Sequence, residues 1–177
     1  MSELIELGYD ETLRYIHDFM VKNPPFDEKG STLKKQGIMG FSQGGCMAAI
    51  LAALLEKPGL SPYWPSEPPL PKFKCTCHRH PLPSNRLSYS CPYSTAEPDS
   101  VLIAVGGFLP SPTTPSFEDY FPLPASLPTL HVVGRNDTLV TLERSQTLVD
   151  RCDNARVEIH EGGHFTPSKA SWRHFFK

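Results

Sequence analysis

Ser42 stands inside Gly40-Phe41-Ser42-Gln43-Gly44, Asp137 follows Gly134-Arg135-Asn136, and His164 ends Glu161-Gly162-Gly163-His164. A hydroxyl, a carboxylate and an imidazole in that chain order are the parts of a nucleophilic acyl-transfer site. A serine hydroxyl attacks a carbonyl poorly unless a base takes its proton as the bond forms, and imidazole titrates near neutral pH. A carboxylate on the second ring nitrogen fixes the tautomer and stabilises the imidazolium that forms. The backbone N–H of Gln43, next after the serine, is the expected oxyanion donor. The pattern therefore assigns Ser42 as nucleophile, His164 as base, Asp137 as its orienting acid and Gln43 N–H as oxyanion donor.

Each group also has a plainer reading. Ser42 is a good helix N-cap residue, Asp137-Thr138 is an ordinary turn or helix-start pair, and His164 is one of seven histidines. The elements around them decide for chemistry. Ile38-Met39 is a short apolar run before the serine, and Cys46, Met47, Ala49, Ile50, Ala53 and Leu54 recur at helical spacing after it. That predicts a strand, a sharp turn and a helix, with glycines on both sides of Ser42 so that strand and helix can approach. Thr129–Gly134 and Ala155–His160 read as further strands, which places Asp137 and His164 each just past a strand end. Catalytic groups of open parallel sheets gather at the carboxyl ends of strands, so three residues far apart in sequence can meet there. His131 and His160 lie inside strand patterns and read as packing residues, and His17, on a helix well before the serine, is given no role.

Further elements follow from pattern. Asp10 reads as the N-cap of an opening helix with Leu13, Ile16, Met20 and Val21 on its apolar face. Thr141–Cys152 reads as a helix with Leu142, Leu148 and Val149 inward, and Pro167–Lys177 as a closing helix with Pro167 in its first turn and Trp172, Phe175 and Phe176 packing. Phe108–Pro128 is broken by prolines and reads as a lid or substrate wall.

Gly-Phe-Ser-Gln-Gly-Gly at 40–45, Val-Gly-Gly-Phe-Leu-Pro at 105–110, Thr-Leu-His-Val-Val-Gly-Arg-Asn-Asp-Thr-Leu-Val at 129–140 and Glu-Gly-Gly-His-Phe-Thr-Pro at 161–167 resemble the fungal-type family of small serine hydrolases. Asn23-Pro24-Pro25-Phe26-Asp27 is similar to that family's approach to the serine strand. The family includes esterases and the thioesterases that release chains from polyketide synthases. The resemblance covers residues 9–60 and 101–177, and it implies an α/β-hydrolase fold with Ser42, Asp137 and His164 as triad. Family members begin with a strand, a His-Gly loop and further strand–helix units ahead of the helix that opens here. The chain is thus expected to lack those N-terminal strands, the second oxyanion donor that their loop carries, and the upstream neighbour of the Ile38–Phe41 strand. An unpaired edge there would favour self-association.

Residues 61–100 depart in another way, being rich in proline and without apolar periodicity. Proline removes ladder donors and breaks helices, so an irregular insert is expected. It carries Cys75-Thr76-Cys77-His78-Arg79-His80 and Cys91, soft ligands at close range, but the spacing matches no usual zinc pattern and no metal is assigned.

The chain has 177 residues and a net charge of −2, with acidic and basic residues interspersed. That size suits a single domain over 1–177, and the charge gives no electrostatic case for nucleic acid or an anionic membrane. No apolar run approaches membrane-spanning length, and five unevenly spaced cysteines without a secretory leader point to a reducing cytoplasm. Together these features predict a partial α/β-hydrolase: a short parallel sheet flanked by helices, interrupted by the insert. The expected activity is cofactor-free hydrolysis of a small-molecule ester or thioester. The alternatives are a weakly active or non-catalytic remnant that keeps the motifs and, more distantly, a metal-bearing interaction module on the Cys75–Cys91 stretch.

Overall fold

The apolar, β-branched runs form one sheet. The computed structural model describes residues 2–23, 36–61, 64, 100–109 and 118–176. Strands β1 (Gln36–Phe41), β2 (Ser100–Val105), β3 (Thr129–Gly134) and β4 (Ala155–His160) lie in the order β1-β2-β3-β4, and every pairing is parallel. Phe41↔Val105 ends β1 and β2 level, Gly134↔His160 ends β3 and β4 level, and Val105↔Val132 sets the second pair two residues beyond the first at the same end of the sheet. The chain runs once across the sheet, so each loop that follows a strand opens on the same end. This is the parallel sheet flanked by helices expected from the sequence.

Helix α2 (Gln43–Glu56) follows β1. Its residues from Gly45 to Leu55 are buried apart from half-buried Met47, as expected of a helix that is apolar all round. It packs in one core with Tyr9 and Leu13 of α1 (Ser2–Lys22), Leu102 and Ala104 of β2, and Leu148 of α3 (Leu142–Val149). Thr141 caps α3, its hydroxyl accepting the Arg144 N–H. Helix α4 (Ala170–Phe175) lies on the other face, where Phe175 meets Arg156 and Trp172 meets His160. Among the described residues no helix is long and apolar enough to cross a membrane.

Several sequence expectations require correction. Helix α1 begins at Ser2, so Asp10 is an interior residue rather than an N-cap. Asp10 is of a type that caps well, but the glutamates and leucines before it are good helix formers and carry the helix further upstream. Pro167 is buried ahead of α4, whose N-cap is Lys169, so the closing helix starts later than expected. Of the Phe108–Pro128 stretch read as a lid or wall, residues 110–117 lie outside the described residues and residues 118–128 do not wall the site. Tyr120, Phe121, Leu123 and Leu127 are core residues, and Leu123 bridges to Cys152 at the amino-terminal end of the strands. An unpatterned stretch can still carry enough apolar side chains to be drawn into the core. Trp64, in the stretch read as peripheral insert, is fully buried and stands edge-on to His17 at 5.2 Å. The Cys75–Cys91 motif lies outside the described residues.

Candidate active site

Ser42 is the hinge between β1 and α2. Its N–H donates to Val105 O at 2.8 Å, while its carbonyl already accepts the Gly45 and Cys46 N–H groups at 2.9 and 3.2 Å. Strand bonding thus passes directly into helix bonding across one residue. To do this Ser42 takes φ 56°, among the described residues the one non-glycine with positive φ. Its side chain makes no capping hydrogen bond, which removes the plain N-cap reading. Gln43 is the first residue of α2, and the N–H groups of a first helical turn have no intrahelical acceptor.

The turn depends on Gly40. A Cβ built there would lie 1.9 Å from the Gly44 carbonyl oxygen, which belongs to helix backbone that cannot move aside. Gly44 differs from expectation: a Cβ on it would meet nothing within 4 Å among the described residues. The close approach comes instead one residue later, where a Cβ on Gly45 would be 3.0 Å from the Gly107 Cα.

Asp137 and His164 lie on the loops after β3 and β4. The structure brings both to Ser42. Asp137 is 7 % exposed, and its Oδ1 accepts the Leu139 and Val140 N–H groups at 2.9 and 2.8 Å. Its Oδ2 faces His164 Nδ1 at 2.6 Å, and His164 Nε2 stands 2.8 Å from Ser42 Oγ. Burial alone would raise the Asp137 carboxyl; the Val140 N–H, the His164 ring and the Leu139 N–H outweigh it and hold the group below its usual range. A carboxylate there requires Nδ1 to carry the proton, which leaves Nε2 free to accept from the serine hydroxyl.

Two residues with no role assigned from sequence stand at the site. Phe41, 41 % exposed, packs its ring on the His164 imidazole with centroids 4.8 Å apart. Gly106, at φ 55°, passes under the acid–histidine pair, and its absent Cβ would sit 3.4 Å from His164 Cε1. The only sequence signal for them was membership of the glycine-bearing motifs, since no local pattern announces contacts with a residue more than 50 positions away. His131 and His160 are buried in β3 and β4, as expected of packing residues. His131 Nε2 pairs with Thr129 Oγ1 at 3.0 Å, and burial brings its pKa down to about 4. The nearest thiol to the elbow is no rival nucleophile: burial pushes Cys46 up to about 11.

A parallel sheet with a strained serine turn after its first strand, and with acid and histidine loops after its third and fourth, defines the α/β-hydrolase class. The model of the serine hydrolase (FSH1) family matches residues 3–176, and this chain belongs to that family. It is 31 % identical over 166 residues to esterase OVCA2 of Bos taurus, covering 94 % of this chain and 54 % of the bovine one. It is 33 % identical over 166 residues to a Schizosaccharomyces pombe protein named dihydrofolate reductase, covering 94 % of this chain but 27 % of that one. The chain thus spans about half or less of the length of these relatives. The crystal structure of Zea mays acyl-protein thioesterase 2 superposes with a TM-score of 0.52 at 17 % identity, covering 94 % of this chain and 62 % of that one, a likeness of fold.

Proposed function

We propose that this chain hydrolyses a carboxylic ester or thioester through an acyl-enzyme intermediate. The observation that carries the reading is the unbroken run of contacts from Asp137 Oδ2 through His164 to Ser42 Oγ, at 2.6 and 2.8 Å, on a serine whose side chain makes no capping bond. In this reading Ser42 Oγ attacks the substrate carbonyl while its proton passes to His164 Nε2. The carbonyl electron pair moves onto oxygen, where the Gln43 N–H donates to it. Collapse expels the alkoxide or thiolate, which takes the proton from His164. Water then repeats the sequence against the acyl-serine and releases the acid. Asp137 keeps the ring in the required tautomer throughout, and no cofactor takes part in these steps.

Leu139, 67 % exposed beside Asp137, and Phe165, exposed beside His164, give the rim apolar side chains that suit an acyl chain. Acyl thioesters on a carrier, including those of a polyketide synthase, fall within the same chemistry. Cys46 and Cys152 are buried thiols, and a cytoplasmic location is part of this proposal.

Hydrolysis of p-nitrophenyl butyrate and of an acyl thioester by wild type and Ser42→Ala tests the proposal. We expect the variant to lose on the order of 10⁴-fold or more in kcat. Equal rates in the two proteins would refute the assignment, and a rate that depends on Ser42 supports it.

A further inference from the structure

We propose that His160 is a positioning residue for His164: its buried ring accepts the Gly162 N–H and packs on Phe165, holding from both sides the turn that aims the His164 imidazole at Ser42. The proposal rests on the triad reading above.

His160 ends β4, four residues before His164, and is 7 % exposed. Its Nδ1 lies 3.2 Å from the Gly162 backbone nitrogen. That nitrogen can only donate, so Nδ1 must be unprotonated and the ring proton of the neutral imidazole sits on Nε2. The same ring lies 5.1 Å from Phe165 and 6.0 Å, edge-on, from Trp172. Gly162 precedes His164 and Phe165 follows it, so one side chain grips the turn before and after the imidazole. There is no slack in the grip: a Cβ on Gly162 would come within 2.2 Å of the Phe165 ring and 2.9 Å of His160 Nδ1.

The carbonyl side of this turn is held by the loop that carries Asp137. Arg135 N–H donates to His160 O at 2.8 Å, Asn136 N–H to Gly162 O at 3.0 Å, and Asn136 Nδ2 to Glu161 O at 2.7 Å. These hydrogen bonds join the acid loop to the histidine loop, and His160 supplies the acceptor for the turn's own Gly162 donor. A residue present for packing alone need not be an imidazole, because burying one costs desolvation that leucine or phenylalanine avoids. The hydrogen bond accounts for the choice.

Loss of the acceptor lets the turn relax, and a displacement of about 1 Å of a catalytic group costs on the order of 100-fold in rate. The test compares wild type, His160→Phe, His160→Asn and Ser42→Ala on p-nitrophenyl butyrate, with a thermal melt of each. His160→Phe keeps a ring against Phe165 and removes the acceptor; His160→Asn places an amide oxygen where Nδ1 was. We expect His160→Phe to lower kcat roughly 10- to 100-fold with KM changed less than about two-fold, and His160→Asn to return kcat to within about three-fold of wild type. The downfield proton resonance of the His164–Asp137 hydrogen bond should weaken in His160→Phe and persist in His160→Asn. Equal kcat in the two variants, whether both wild-type-like or both impaired, would overturn the proposal. If His160→Phe fails to fold, His160→Asn decides alone: near-wild-type kcat with the resonance intact supports the role, and a ten-fold loss in a folded protein overturns it. An active Ser42→Ala would instead sink the triad reading, a failure separate from that of His160.

Discussion

Ser42 holds a backbone conformation that costs an L-residue on the order of 1–3 kcal/mol, and the hydrogen bonds on either side of it keep it there. What this strain achieves is exposure of the hydroxyl to His164 instead of to the first turn of α2. Asp137 is equally committed, with one oxygen on two backbone donors and the other on the imidazole. Asp137→Asn can keep the first set but presents an NH₂ to His164 Nδ1, forcing the proton to the wrong ring nitrogen. We expect kcat to fall on the order of 10⁴-fold with little change in the melting temperature, read by steady-state kinetics and calorimetry together. A variant within ten-fold of wild type would remove Asp137 from the mechanism. His131 sets a different property. Its pKa is about 4 in the fold against roughly 6.5 in an unfolded chain, so between those values the unfolded state binds a proton that the native state refuses. Stability contributed by neutral His131 is complete above pH ~6.5 and is lost as the pH falls toward ~4, by about 3 kcal/mol in all. Urea titrations at several pH values should show that slope, and His131→Leu should flatten it; an unchanged slope would show that other groups control acid stability.

The element that matters most is the strand–turn–helix unit of β1 and α2, and its two motif glycines are not equivalent. Gly40→Ala drives a methyl group into the Gly44 carbonyl, and we expect a loss of 3 kcal/mol or more, at the severe end of overpacking. Gly44→Ala meets no described residue within 4 Å and lies within a helix, where alanine outranks glycine by roughly 1 kcal/mol, so its melting temperature should hold or rise. Similar losses in both variants would mean that the turn is packed differently. This unit was legible in the sequence because it is local: an apolar run, a serine between glycines, then apolar residues at helical spacing. The loop positions of Asp137 and His164 were legible for the same reason, each lying just past a β-branched run. What could not be read depends on partners distant in the chain. Nothing near Phe41 or Gly106 names His164, and the amide that His160 accepts is visible only once the turn is built. Element ends failed where two signals competed, as at Asp10, a good cap preceded by good helix formers.

Over the whole molecule, the two sheet edges are unlike. The β4 edge carries the Arg156–Glu158 ion pair, N–O 2.6 Å, a charged surface that discourages strand pairing. Strand β1 has a neighbour on one side only among the described residues, and Gln36–Phe41 contains neither charge nor proline. Met39, 54 % exposed, and Phe41, 41 % exposed, add apolar surface at this edge. Such an edge is open to strand pairing, and association of this chain through β1 is a prediction from it. Light scattering should show concentration-dependent association that Met39→Lys weakens. A monodisperse monomer at all concentrations would remove that inference without touching the site.

The fold and site together make one claim, that Ser42 is the covalent nucleophile. A fluorophosphonate reagent phosphonylates an activated serine and leaves an adduct that peptide mass spectrometry can locate. We expect one adduct, on Ser42, formed by wild type and abolished in His164→Ala, whose serine lacks its base. An adduct on any other residue, or labelling of His164→Ala at the wild-type rate, would contradict it.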